Sequence, residues 1–217
     1  HLNLSSVEFF NADTGLVTGE SGIMLKTTDG GLNWNRIDAG ITANISDLCF
    51  IDSTLAWMST EDGKIYKSID YGDYWNLVFS DSLQKFNCIC FTDSNHGWVA
   101  GSVGTYYSAM VHTSDGGESW SNLDPPFMYK IHDVCFTDSL KGFASFQTDW
   151  EHTIAKSMDG GHSWQYIFDD DIYGEYYDIE FTDQYHGWIA GTTLSAPNHY
   201  GILYYTLNSG ITWHMGD

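Results

Sequence analysis

The chain has 217 residues and a formal net charge of −21, from 29 acidic against 8 basic residues. Nucleic acid and anionic membrane are disfavoured as partners, because phosphate binding takes clustered Lys and Arg. Aromatic residues make up 16% and 22 glycines stand against 3 prolines, a balance that favours many short strands joined by glycine turns over helices.

The strands come in five successive groups. In the first, about residues 1–40, Val7-Glu8-Phe9 and Gly15-Leu16-Val17 read as short strands, and Gly22-Ile23-Met24-Leu25-Lys26 as a third. The third strand runs into Thr27-Thr28-Asp29-Gly30-Gly31-Leu32-Asn33-Trp34, from which a fourth leaves. The second group, about 41–81, repeats this order with Leu48-Cys49-Phe50, Ala56-Trp57-Met58 and the stretch from Ser68 to Trp75. The third, about 82–124, has Ile89-Cys90-Phe91, Gly97-Trp98-Val99-Ala100-Gly101 and Thr113 to Trp120. The fourth, about 125–171, has Val134-Cys135-Phe136, Gly142-Phe143-Ala144 and Ser157 to Trp164. The fifth, about 172–217, has Ile179-Glu180-Phe181, Gly187-Trp188-Ile189-Ala190-Gly191 and Thr206 to Trp213, with Asn208 in place of Asp. Two residues after each strand-ending Phe stands a polar turn residue: Asn11, Asp52, Asp93, Asp138 or Asp183.

The eight-residue stretch is a hairpin clasp, and each part of it has a physical task. The Ser/Thr hydroxyl and the Asp carboxylate fold back onto nearby backbone N–H groups. A glycine takes the positive φ of a tight turn, and the Trp covers the turn with apolar surface. The clasp residues are Asp29, Gly31 and Trp34; Asp70, Gly72 and Trp75; Asp115, Gly117 and Trp120; Asp159, Gly161 and Trp164; and Asn208, Gly210 and Trp213. The Trp positions step by 41, 45, 44 and 49 residues. A period in that range with four strands per repeat is the make-up of a propeller blade. The expected fold is therefore all-β: one β-propeller domain over residues 1–217 with five four-stranded antiparallel blades, either closed on themselves or an arc of a larger ring.

The clasp resembles the Asp-box repeat of sialidases, sortilin-like receptors and some xyloglucan hydrolases. The fuller pattern of Phe, Asp, Gly-Trp, Gly and then Asp-Gly-Gly with Trp resembles the repeats of the photosystem II stability/assembly factor family, over nearly the whole chain. That resemblance implies a propeller whose Asp boxes are structural and lie away from any catalytic face. Sialidases clamp a substrate carboxylate with three arginines; Arg36 is the single arginine here, which excludes that chemistry. The photosystem factors, by the same resemblance, present a basic surface to a membrane client, and this chain carries the opposite charge.

Ligand faces of propellers are built from the loops opposite the clasps. Tyr106, Tyr107, Phe127, Tyr129, Trp150, Tyr173, Tyr176 and Tyr177 are the candidate rings there, suited to stacking on a sugar or meeting a protein partner. Structural rings that plug the channel or cap blade edges would show the same pattern. The acidic run Asp169-Asp170-Asp171 with Glu180 echoes a calcium loop, but Tyr173 falls where a ligand belongs and Glu180 falls in a strand; a solvated acidic link is the expectation, with no metal bound. Cys49, Cys90 and Cys135 share one repeat position and read, with Cys88, as small packing residues. His96 and His186 share another, before Gly-Trp, and read as turn residues.

The expected function is a non-catalytic binding or scaffold module of an exported, cell-surface or extracellular bacterial protein, docking a protein or glycan on the loop face. No cofactor, nucleic acid or membrane insertion is expected, and the chain either stands alone or forms part of a larger chain or assembly. The alternatives are a polysaccharide hydrolase using two carboxylates and an assembly factor for a membrane complex.

Overall fold

A computed structural model of the protein describes residues 3–105, 107–127, 129–147, 152–167, 174–193 and 200–216. The first blade is β1 (Leu4–Phe9), β2 (Gly15–Gly19), β3 (Met24–Thr27) and β4 (Asn35–Arg36). The second is β5 (Ile45–Phe50), β6 (Ala56–Thr60), β7 (Lys64–Ser68) and β8 (Asn76–Ser80), and the third is β9 (Gln84–Phe91), β10 (Gly97–Val103), β11 (Tyr107–Thr113) and β12 (Ser121–Leu123). The fourth is β13 (Ile131–Phe136), β14 (Gly142–Gln147), β15 (His152–Ser157) and β16 (Gln165–Ile167), and the fifth is β17 (Gly174–Phe181), β18 (Gly187–Thr193), β19 (Gly201–Thr206) and β20 (His214–Met215). Each blade is a four-stranded sheet with its strands side by side in chain order, which makes the fold a β-propeller of five blades. No helix among the described residues is long and apolar enough to cross a membrane.

The chain forms two compact units, residues 1–99 with 111–122 and residues 100–110 with 123–217. In the first, Leu16, Met24, Ile45, Leu48, Met58 and Trp75 pack together. Beside them Trp57, Ile65, Phe86, Ile89, Phe91, Val99 and Val111 form a second cluster. In the second unit Phe143, Ile154, Tyr176, Ile179, Phe181, Ile189, Tyr204 and Trp213 form the core. Aromatic stacking sets the blade spacing: Phe91 lies on Trp57 at 3.7 Å between centroids, and Phe181 on Phe143 at 4.6 Å.

All five clasps adopt one hydrogen-bond pattern. In the third, the Thr113 hydroxyl donates to Asp115 Oδ1 (2.8 Å) and accepts from the Gly117 N–H (2.9 Å), while Asp115 Oδ1 accepts from the Ser119 N–H (2.9 Å). Thr27 with Asp29, Ser68 with Asp70 and Ser157 with Asp159 repeat it. Asn208 repeats it as well, its amide oxygen accepting from Thr206 and from the Thr212 N–H, so an amide replaces the carboxylate without loss of geometry. The Trp75 and Trp164 indoles donate to Gly72 O and Gly161 O, both at 2.9 Å. Each clasp then leans on the first turn of its own blade through one backbone bond, for example Gly116 N–H to Asn95 O at 2.9 Å. Those turns are tied by their polar residue: Asp93 Oδ1 accepts from the N–H groups of Asn95 and His96, and Asp183 Oδ1 from those of Tyr185 and His186. His96 and His186 place Nδ1 2.9 and 2.7 Å from these two carboxylates.

The bonds hold the carboxylates ionised. The Ser119 hydroxyl and N–H, with Thr113, bring Asp115 down to about 2, and the His186 ring with two backbone N–H groups brings Asp183 down to about 2, from a usual value of 3.8. Asp29, Asp70, Asp93 and Asp159 are lowered as well. A carboxylate held below its unfolded value stabilises the fold fully above about pH 4 and loses that contribution as pH falls toward 2. The protein is therefore expected to lose melting temperature steeply between pH 4 and pH 2. Asp115→Asn, which copies the Asn208 clasp, is expected to keep the neutral-pH melting temperature nearly unchanged and to shrink the acid loss. An unchanged acid profile in that variant would remove the clasp carboxylates from the account.

The four cysteines are free thiols. Burial, with Cys90 nearby, pushes the Cys49 thiol well up, which suits an inert packing residue.

Candidate functional surface at the inner-strand bulges

Within each unit the first strands of neighbouring blades pack together, β1 against β5 and β5 against β9, and β13 against β17. β1, β5, β13 and β17 each carry a β-bulge near their start, between Leu4 and Ser6, Ile45 and Asp47, Ile131 and Asp133, and Tyr176 and Asp178. The residue left over in each bulge is Ser5, Ser46, His132 or Tyr177. Bulges re-aim a side chain, and they concentrate at functional rims.

Ser5 and Ser46, in the first unit, are structural. Ser5 donates to Ile45 O and Ser46 to Phe86 O (2.7 Å), each tying one blade to the next. In the second unit the same positions carry rings. Tyr177, exposed, stands edge-on to His132 with centroids 5.7 Å apart, and its hydroxyl donates to Glu175. That bond pushes the Tyr177 phenol up. Two acids beside the bulges tie blades together: Asp133 accepts from the Val134 and Ile179 N–H groups (both 2.8 Å), and Asp47 from those of Leu48 and Ile89.

The other candidate rings divide. Tyr107, at the start of β11, is exposed, and so is Tyr200, just before β19 in the corresponding hairpin of the fifth blade. Tyr200 was not among the sequence candidates, although its place between second and third strands is the one that singles out Tyr107. Tyr129 is half-buried with φ of 77°, a backbone state uncommon for a non-glycine residue. For Phe127 and Tyr176 the expectation of exposed rings is corrected, because both are core residues. Phe127 stacks on Phe146 at 3.8 Å and meets Trp164 edge-on, its carbonyl held by the Ser108 hydroxyl at 2.8 Å. Tyr176 pairs with Gly191 in the sheet and packs against Tyr204, while the bulge that follows sends Tyr177 outward in its stead. Tyr106, Trp150 and Tyr173 lie outside the described residues, as do Asp169 and Asp171 of the acidic run. Glu180 sits within β17, opposite Trp188. No group of three or more His, Cys, Asp or Glu converges as a metal site among the described residues.

Residues 1–87 match the family model described as photosynthesis system II assembly factor YCF48. The match covers the first two blades and the start of the third. Comparison with curated proteins finds no match. Among solved structures, the chain is similar to YCF48 bound to a D1 peptide, with 21% identity and a TM-score of 0.72, over 99% of this chain and 66% of that one. It is similar to YCF48 from Cyanidioschyzon merolae at 17% identity and a TM-score of 0.62, over 99% of this chain and 85% of that one. An ancestral GH74 enzyme matches at 17% identity and a TM-score of 0.70, over 98% of this chain and 31% of the enzyme. The chain thus spans just under two thirds of the peptide-bound relative and about a third of the enzyme. At such identities these likenesses establish the propeller fold and nothing further.

Proposed function

We propose that this propeller is a non-catalytic docking module that binds a protein segment at the loop face of its second unit. The observation that carries the reading is the replacement of the two blade-tying serines of the first unit, Ser5 and Ser46, by His132 and Tyr177 at the same bulges of the second. A position that elsewhere holds the fold together presents an exposed ring, a hydrogen-bonded carboxylate and an imidazole. Tyrosine gives large contact area at low conformational cost, which suits recognition. The peptide bound in the solved YCF48 structure supports a protein partner, and the charge of −21 favours a partner segment carrying Lys or Arg. The setting proposed is exported or at the cell surface, as for the secreted bacterial proteins these repeats resemble.

The test is selection from a displayed peptide library, with a polysaccharide panel alongside read for retention and for new reducing ends. Basic peptides are expected to be enriched, with binding that weakens in salt. Tyr177→Ser, which restores the residue type of Ser5 and Ser46, is expected to fold normally and to weaken binding about tenfold, the loss of one aromatic anchor. Retention by glycans without peptide enrichment would move the partner to carbohydrate, and released reducing ends would overturn the non-catalytic reading.

A further inference from the structure

Each clasp rests on the first turn of its own blade through the carbonyl of one turn residue. The fold thus uses that residue's backbone and leaves its side chain undetermined. The five residues are Asp13, Thr54, Asn95, Leu140 and Tyr185, whose carbonyls accept from the N–H groups of Gly30, Tyr71, Gly116, Gly160 and Ser209. The first three are polar, as turn residues ordinarily are. The last two are large and apolar or aromatic, and both belong to the second unit. The second and sixth clasp positions repeat the contrast. The third clasp has Ser114 and Glu118 there, whereas the fifth has Leu207 and Ile211, and the fourth has Met158 at the second position. The third and fifth clasps make the same hydrogen bonds, so the apolar side chains are not needed to build the turn. The first two clasps also carry an apolar residue, Leu32 and Ile69, but there the turn residue beside the clasp is polar.

Leu140, Met158, Tyr185, Leu207 and Ile211 are between 50% and 75% exposed, each on a tight turn at the clasp end of the fourth or fifth blade. The two tips are held side by side within the unit. Lys141 donates to Gln184 O (3.1 Å) and Lys156 to Ser209 O (3.2 Å), joining the fourth blade to the turn and the clasp of the fifth. Both lysine heads are thereby committed to backbone carbonyls, while Asp138, Asp159 and Asp183 at the same end stay exposed. Single exposed apolar residues need no account, but five at one end of two joined blades do.

We propose that the clasp end of the fourth and fifth blades is a second docking surface, for a protein segment that carries apolar side chains interspersed with Lys or Arg. The apolar side chains pack on the five exposed residues, and the cations meet the three carboxylates. The surface lies at the other end of these blades from the loop face, and the inference does not depend on what that face binds. A second copy of the chain is disfavoured because it brings the same carboxylates to the contact, and an anionic lipid surface is disfavoured by the same repulsion.

Two peptides of equal length and charge test it, one alternating Leu with Lys and the other Ser with Lys, each titrated by fluorescence anisotropy. The Leu–Lys peptide is expected to bind about tenfold more tightly. Carbodiimide crosslinking of its lysines is expected to recover Asp138 or Asp183. The paired variant Leu207→Ser, Ile211→Glu copies Ser114 and Glu118, so it is expected to keep the melting temperature and to abolish the preference. Its added carboxylate cannot weaken the hold on a cation, so the loss reports the apolar contact. Leu140→Asn, which copies Asn95, is expected to reduce the preference about threefold. Equal binding of the two peptides, or a preference lost in Tyr177→Ser and kept in the paired variant, would overturn the proposal. So would a dimer in light scattering, or retention on phosphatidylcholine vesicles, that the paired variant removes.

Discussion

Trp57→Ala is expected to cost about 3–5 kcal/mol in urea or guanidinium unfolding, the range for emptying a fully buried aromatic site. Trp57 is fully buried, stacks on Phe91 at 3.7 Å, and lies under the Lys67 ammonium at 5.2 Å. Its removal leaves Phe91 without its stacked partner, with only the edge-on Trp120 remaining, and the Gly117 clasp without its seat, so collapse of the surroundings cannot fill the space. Trp188 supplies the internal control. It occupies the same repeat position on the fifth blade but is partly exposed, and Trp188→Ala in the 217-residue chain is expected to cost roughly 1–2 kcal/mol. Equal losses in the two variants would mean that burial between blades does not determine the stability of this position.

Gly63→Ala is expected to cost about 2–4 kcal/mol, although the added group is a single methyl. Gly63 closes the turn between β6 and β7 at φ of 76°, where a side chain is strained whatever the space. The space is also taken: a Cβ would sit 2.0 Å from Asp81 O and 2.7 Å from Gln84 O. Both are backbone atoms, and Asp81 N–H donates to Gly63 O at 2.9 Å, so the link between blades cannot retreat without breaking its own bond. Gly40 has a similar φ with open space around it, and Gly40→Ala is expected to lose only about 1 kcal/mol. A comparison of the two by thermal unfolding separates strain from crowding.

The clasp was legible because every part of it acts within eight residues. Ser157, Asp159, Gly161 and Trp164 bond to one another or to backbone a few positions away, so spacing alone carries their roles. Asn208 was read as a worn copy and keeps the full pattern, since its amide oxygen accepts as a carboxylate oxygen does. The strand-ending Phe residues were equally plain, because Phe91 and Phe181 serve the same contact in the third and fifth copies. The bulges left no such trace. Ser5, Ser46, His132 and Tyr177 sit in runs that read as ordinary alternation, and one extra residue reverses which neighbour faces inward. Tyr176 and Tyr177 were both expected at the surface, and the bulge leaves only Tyr177 there. Phe127 misled for a different reason: it follows two prolines in a link, and only the position of Phe146 shows that the link folds its ring under the fourth blade.

The lysines have a practical consequence. Of the seven, Lys26 is bonded to Asp73, Lys64 to Asp62, and Lys67, Lys141 and Lys156 to backbone carbonyls of a neighbouring blade. Lys85 and Lys130 are the two that stand in solvent without a bond of this kind. Acylating reagents applied at mild alkaline pH should therefore modify these two side chains and the α-amino group first. Of the two lysines one lies in each unit, giving a pair of addressable side chains for a distance measurement without any engineered cysteine.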